Sequence, residues 1–193
     1  TDLPTINIET NNYFKQALIG LQYLLRQTGP MTMAASLGTG FLKTDGRMAT
    51  PDIQFHIQPF SADNAIEGPH PFSAFTASVL QLRPESVGHL KLVSSNINDH
   101  PEIHPNYLSV ETDQKTIVKG IQIARKIAQF EPLKSHVSEE YQPGCEVAID
   151  DYDATLDWAR NTAVTIYHPT GTCKMGSDRQ AVVDHRLRVH GLR

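Results

Sequence analysis

Ile53-Gln54-Phe55-His56-Ile57-Gln58 alternates apolar and polar residues without a break. Side chains of a strand point to opposite sides in turn, so Ile53, Phe55 and Ile57 share one face and Gln54, His56 and Gln58 the other. Such a segment requires a sheet with one face packed on a core, the usual habit of antiparallel sheets. Ser73 to Leu82 and His89 to Ser94 are further strand candidates, and Arg83-Pro84-Glu85-Ser86 with Gly88 marks a turn between them. A helix is predicted from Asn11 to about Gln27, where Phe14, Leu18, Leu21 and Leu25 recur at helical spacing, Asn11 or Asn12 can cap and Gly29-Pro30 stops the chain. The segment Met31 to Lys43 reads as irregular or extended. The longest helix is expected within Ser109 to Phe130, burying Ile117, Val118, Ile121, Ala124, Ile127 and Ala128, with Pro132 ending it. Asp150 to Asn161 predicts a shorter helix with Asp150 or Asp151 as cap and Trp158 on its buried side, and the alternation within Val182 to Arg193 predicts a last strand. Strands come first and most helices later, without a βαβ rhythm. The expected class is α+β, a mainly antiparallel β-sheet with helices packed over one face. Asp63 to Pro71 is the best loop candidate and a plausible lid.

With 193 residues, 39% hydrophobic and 20% charged, the chain reads as one large domain or a piece of a larger protein. A net charge of −4 and a pI near 6.1 give no electrostatic reason to expect nucleic acid. No apolar run is long enough to span a bilayer, and the start Thr1-Asp2-Leu3-Pro4 has no signal-peptide pattern. That start, without methionine, reads as a cut from something longer. The two cysteines, Cys145 and Cys173, read as reduced thiols. A cytoplasmic location is expected, with peripheral attachment to a membrane left open.

The most specific stretch is Tyr167-His168-Pro169-Thr170-Gly171-Thr172-Cys173-Lys174-Met175-Gly176. Val164-Thr165-Ile166-Tyr167 reads as a short buried strand that stops at His168, because Pro169 lacks an N–H and has a fixed φ. Gly171 and Gly176 allow turns or close backbone approach. A histidine at such a corner is a common way to present a general base. The local pattern alone favours a histidine whose nitrogens are satisfied within the corner. His100 and His104 are four apart, but Pro101 and Pro105 argue against the helix that would turn them toward one metal. Cys173 beside Lys174 is open to reading as an activated thiol. No Gly-x-Gly-x-x-Gly fingerprint is present: Gly38-Thr39-Gly40 begins the pattern but position 43 is Lys. Nor is there a phosphate loop or a Gly-x-Ser-x-Gly elbow.

The ten-residue stretch resembles the C-terminal signature of the glucose-methanol-choline (GMC) family of FAD-dependent alcohol oxidoreductases, and it is similar to the choline dehydrogenase-like branch. Tyr23-Leu24-Leu25 before Gly29-Pro30-Met31, Arg83 through Leu92, Pro105-Asn106-Tyr107-Leu108, and Val183-Asp184 through Arg193 resemble other tracts of the family's substrate-binding half. The resemblance implies that residues 1–193 are the substrate-binding domain of a larger flavoprotein whose flavin-binding Rossmann-type domain is absent here. It implies oxidation of a primary alcohol by hydride transfer to FAD, and a fragment inactive alone. His168 falls at the family's active-site histidine and is expected to assist proton removal. His56, in a Gln-Phe-His-Ile strand similar to the branch's substrate-lining strand, is expected to orient substrate; its local pattern alone reads as an exposed polar face. Glu9 follows the extended run Ile6-Asn7-Ile8 and matches a glutamate that faces a quaternary ammonium in the choline-specific branch. That branch's paired tryptophans are absent, with Asn11-Asn12-Tyr13 standing there instead. The resemblance makes Cys173 a packing residue. The expected partners are the missing flavin-binding portion of the same polypeptide and a small alcohol. The competing readings are a stand-alone small-molecule binding module without catalysis and a metal-dependent hydrolase using the histidines.

Overall fold

The computed structural model describes residues 1, 3–34, 36–63 and 68–192. Mixed helices and antiparallel strands give the expected α+β class. The chain divides into two compact units, each made of two separate segments. The first comprises Thr1–Glu85 and Val110–Asn161, and the second Ser86–Ser109 and Thr162–Arg193.

The first unit is built on a three-stranded antiparallel sheet, β1 (Gly38–Leu42), β2 (Ile53–Gln58) and β3 (Thr76–Gln81), in that order. The alternating segment lies in the middle. Ile53 pairs with Leu42 and Gln81, and His56 with Thr39 and Ser78. Ile53 is 0% and Phe55 4% exposed, so the predicted apolar face is the core face, although Ile57 at its end emerges to solvent. Asp52 closes the β1–β2 connection: Thr44 donates both its N–H (2.8 Å) and its hydroxyl to that carboxylate.

Helix α1 (Ile6–Glu9), helix α2 (Tyr13–Arg26), helix α3 (Glu111–Ile127) and helix α4 (Tyr152–Thr162) complete the regular elements of this part, with short 3-10 turns at Pro30–Thr32 and Lys134–His136. Helix α3 lies on the core face of the sheet. A Cβ placed on Gly120 would fall 2.5 Å from Val79 Cγ1 and 3.5 Å from Ile53 Cγ2, so the missing side chain lets the helix approach β2 and β3. Gly120→Ala is therefore expected to destabilise. The helix propensity gain of about 1 kcal/mol is outweighed by overpacking against a stiff β-branched neighbour, about 1–3 kcal/mol. A lower thermal midpoint checks this, and a higher one overturns it.

The ends of α3 suit its dipole, with Glu111 and Asp113 in the first turn and Arg125 and Lys126 in the last. Its buried set is Asp113, Thr116, Val118, Gly120 and Ile121. Only Val118 and Ile121 of the expected stripe are fully buried, and Ile127 is exposed. Helix α4 is capped by Asp151, whose side chain accepts from Ala154 N–H at 2.9 Å, and Trp158 is half-buried.

Three sequence expectations about local structure are corrected here. Ile6-Asn7-Ile8 is a single helical turn rather than an extended run. Thr10 N–H donates to Ile6 O at 2.9 Å. The buried Asn7 side chain accepts from Ser61 N–H (3.0 Å) and donates to Ser61 O (2.8 Å) and His70 O (2.9 Å). A three-residue run with no described strand beside it cannot satisfy its backbone as a strand, whereas a turn does so locally. Val164 to Tyr167 is exposed coil, and Tyr167 has a left-handed φ of 61°. Among its described residues the tail forms only isolated bridges, Met175 with Val183 and Val183 with Val189.

In the second unit, β4 (His89–Lys91) pairs antiparallel with β5 (Glu102–His104). Gly88 is needed for a close approach, since a Cβ there would fall 2.2 Å from His104 O.

Candidate functional site

The signature stretch lies in the second unit. Gly171 takes φ 86°, with open space around it, so its role is conformational. At Gly176 the reason is room: a Cβ would meet Asp178 Oδ2 at 3.0 Å and Ala181 Cβ at 3.3 Å. From Lys174 onward the chain is tightly bonded. Lys174 O accepts from Val182 N–H (2.8 Å), Gly176 N–H donates to Val183 O (3.0 Å), and His190 Nε2 lies 2.9 Å from Gly176 O. The ion pair Lys174–Asp178, 2.8 Å, spans the turn between them. Asp184 binds the following turn, accepting from the N–H groups of Arg186 (2.8 Å) and Arg188 (3.0 Å) and pairing with the Arg188 guanidinium at 2.7 Å. The Arg188 side chain and N–H hold the Asp184 carboxyl below the ordinary carboxylate range. What that turn contributes is present at neutral pH and lost as pH falls through the depressed folded value. Met175, Gly176, Ser177, Asp184, His185 and His190 line an open concavity beside it.

His168 precedes this braced segment and is itself exposed, with no hydrogen bond or ion pair to any described residue. The satisfied corner histidine is therefore not what the structure contains. The imidazole is held only through its backbone, between the left-handed Tyr167 and Pro169. Cys173 is also exposed.

His56 sits half-buried at the middle of β2, in a cross-strand row with Thr39 and Ser78. Gln54, on the same face, donates to Thr39 Oγ1 at 3.0 Å. This face is not simply solvated, because Leu80, opposite Gln54, is 8% exposed. His56 makes no hydrogen bond to a described residue. Glu9 ends α1 and is exposed. Glu9 and His56 belong to the first unit and His168 to the second.

The lid candidate Asp63 to Pro71 includes residues 64–67, which lie outside the described residues. Its base is firmly closed, and sequence reasoning missed this. His70 N–H donates to Ser61 O (2.9 Å), Ser61 Oγ lies 2.9 Å from His70 Nδ1, and Asp63 Oδ2 lies 3.2 Å from His70 Nε2. The ring stacks on Phe72 and meets Tyr141 edge-on, with centroids 4.9 and 5.0 Å away. Serine, histidine and aspartate are thus in sequence of contact, but Ser61 is buried and the imidazole is walled by two aromatic rings. That is a clasp rather than an acyl-transfer centre. A weak signal was available in Asn7, a polar residue between two isoleucines.

His104 lies in β5 and not on a helix, with its ring stacked on His89 at 4.6 Å. Among the described residues no three histidine, cysteine or acidic side chains gather as a metal site would need. No described helix is long and apolar enough to cross a membrane.

Residues 84–193 match the family model described as GMC oxidoreductase. The chain is 37% identical over 183 residues to an alcohol dehydrogenase [acceptor] of Pseudomonas putida, covering 94% of this chain and 33% of that protein. It is 39% identical over 181 residues to the mitochondrial choline dehydrogenase of Mus musculus, covering 92% and 30%. The chain thus spans about a third of the length of the curated relatives it matches. Among solved structures, a formate oxidase of Aspergillus oryzae RIB40 superposes with a TM-score of 0.81 at 19% identity, over 98% of this chain and 37% of that one. The pyridoxine 4-oxidase from Mesorbium loti gives 0.70 at 24% identity, over 82% and 31%. These structural likenesses speak to fold alone.

Proposed function

The chain belongs to the GMC oxidoreductase family, and on that premise we propose that it is the substrate-binding part of an FAD-dependent alcohol dehydrogenase or oxidase of the choline dehydrogenase-like type, oxidising a primary alcohol to an aldehyde. The observation that supports this most is the match of more than nine-tenths of the chain to an alcohol dehydrogenase and a choline dehydrogenase at 37% and 39% identity. In this reading residues 1–193 are the substrate-binding domain, and the flavin-binding domain is the remaining portion of the same polypeptide.

The residues present do not fit FAD by themselves. Gly38-Thr39-Gly40, the nearest approach to a dinucleotide fingerprint, lies inside β1, paired with Ile57, His56 and Phe55, and not at a strand-to-helix turn. The flavin therefore belongs to the rest of the polypeptide, and this chain alone is inactive. When bound, the flavin supplies the hydride acceptor. The contribution of this chain is position and a proton acceptor. His168, exposed and unbonded, accepts the hydroxyl proton at a ring nitrogen, since a neutral imidazole is matched to that task near neutral pH. His56, unpartnered in a row with Thr39 and Ser78, orients the substrate. Glu9 offers a carboxylate to a cationic substituent.

Protein expressed from the whole gene tests the reading. It should carry flavin absorption bands that bleach anaerobically when primary alcohols, choline included, are added. A complete gene product without flavin would leave the stand-alone binding module as the better account. His56→Ala should raise KM for the preferred alcohol about tenfold, the worth of one hydrogen bond of about 1.4 kcal/mol, with a smaller effect on kcat. Unchanged KM and kcat would remove His56 from the site.

A further inference from the structure

Thr39 and Gln54 make a neutral hydrogen-bonding pair beside His56. Gln54 Nε2 donates to Thr39 Oγ1 at 3.0 Å. The contact is diagonal: Thr39 stands directly opposite His56 in the register, and Gln54 opposite Phe41 and Leu80. Opposed and diagonal neighbours on one sheet face lie about 4.5–8 Å apart, within reach of a long amide side chain. A hydroxyl that accepts one bond keeps its own O–H to donate, and an amide that donates keeps its carbonyl to accept. Among the described residues neither group makes a further hydrogen bond. A donor and an acceptor thus stand side by side next to the imidazole, each oriented by the other.

The charge on this surface is equally specific. His56 is the only ionisable residue that β1, β2 and β3 place on this face. What surrounds the imidazole is therefore neutral hydrogen-bonding capacity. Leu80, in the row of Gln54, is 8% exposed, so the amide is set at the border of a dry surface, where an unmet hydrogen bond is costly. We propose that Thr39 and Gln54 bind a second hydroxyl of the alcohol substrate. The Thr39 O–H donates to that oxygen and the Gln54 carbonyl accepts from it, so the favoured substrates are diols or polyols and not alcohols with a single hydroxyl. The assignment rests on the orienting role proposed for His56 and narrows it to a substrate class. Because Thr39 opposes His56 at about 5 Å between Cβ atoms, both hydroxyls belong to one small molecule.

Anaerobic flavin reduction and steady-state kinetics of protein expressed from the whole gene test the proposal, with 1,3-propanediol against 1-propanol and 1,4-butanediol against 1-butanol. After correction for its two equivalent hydroxyls, each diol should be favoured in kcat/KM by about tenfold or more, since a site that bonds a hydroxyl leaves its own groups unpaired when the hydroxyl is missing. Thr39→Val keeps the shape and removes the donor, and should bring the ratio of diol to mono-alcohol close to one, mainly through KM for the diol. Thr39→Ser should restore the preference. Gln54→Met leaves β1 untouched and should lower the ratio as well, which keeps the test alive should Thr39→Val fold poorly. A merely structural role would lower both alcohols together and leave their ratio as in the parent. A parent that does not prefer diols, or a ratio unmoved in Thr39→Val and Gln54→Met, overturns the proposal, while flavin bleaching by primary alcohols leaves the wider reading standing. Absence of bleaching by every primary alcohol overturns both.

Discussion

His168→Ala in the protein expressed from the whole gene is expected to slow alcohol-dependent flavin reduction by about 10²–10⁴-fold, the usual worth of a positioned acid–base group. Bound flavin and thermal midpoint should not change. The imidazole is exposed and bonded to no described residue, so its removal leaves no orphaned partner. The main chain that places it is held independently, by Pro169 on one side and by the bonds from Lys174 onward that join the stretch to Val182, Val183 and His190. The pH dependence supplies a second readout. If His168 accepts the proton, the rate of reduction in the parent falls as pH drops and the imidazole becomes charged, and that limb disappears in the variant. A structural histidine would not show this effect. Near-normal reduction in His168→Ala would remove it from the chemistry.

Asp113→Ala is expected to cost about 1–3 kcal/mol of stability, since the half-buried Gln81 amide and the N–H of exposed Glu85 lose a charged acceptor but keep access to water. Asp113 is 1% exposed. Its carboxylate accepts from Gln81 Nε2 at 2.8 Å and from Glu85 N–H at 2.9 and 3.2 Å. It therefore ties the first turn of α3 to the end of β3 and to the turn that leaves it. The thermal midpoint should fall by roughly 2–12 °C for a chain of this size. Asp113→Asn, which keeps one carbonyl acceptor, should recover part of the loss. An unchanged midpoint in Asp113→Ala would show that the tie is dispensable.

The contrast between these two residues shows what was legible. His168 could be found from its neighbours, because a ten-residue signature is a local object. Asp113 could not be placed beside Gln81 and Glu85, about 30 residues away, although an acid in the first turn of a helix is itself a readable sign. The stripe read on α3 included Ile127, which is exposed, and omitted Gly120, whose importance lies in the distance to Val79. The division into two units escaped notice because each is assembled from two separated segments.

Period and punctuation alone determine that helices lie within about 11–27, within 109–130 and over about 150–161, and that 53–58 is a strand, and the signature alone points to the family. These depend on backbone preference over a few residues, and the chain carries that information locally. Only the tertiary structure decides which face of an element is covered. It turns the leucine stripe of α2 outward, leaves Val164 to Tyr167 without a strand partner, folds Ile6 to Glu9 into a turn around Asn7, and sets His56 in its polar row. Burial and strand pairing are satisfied by partners far away in sequence, and their free energy exists only once those partners meet.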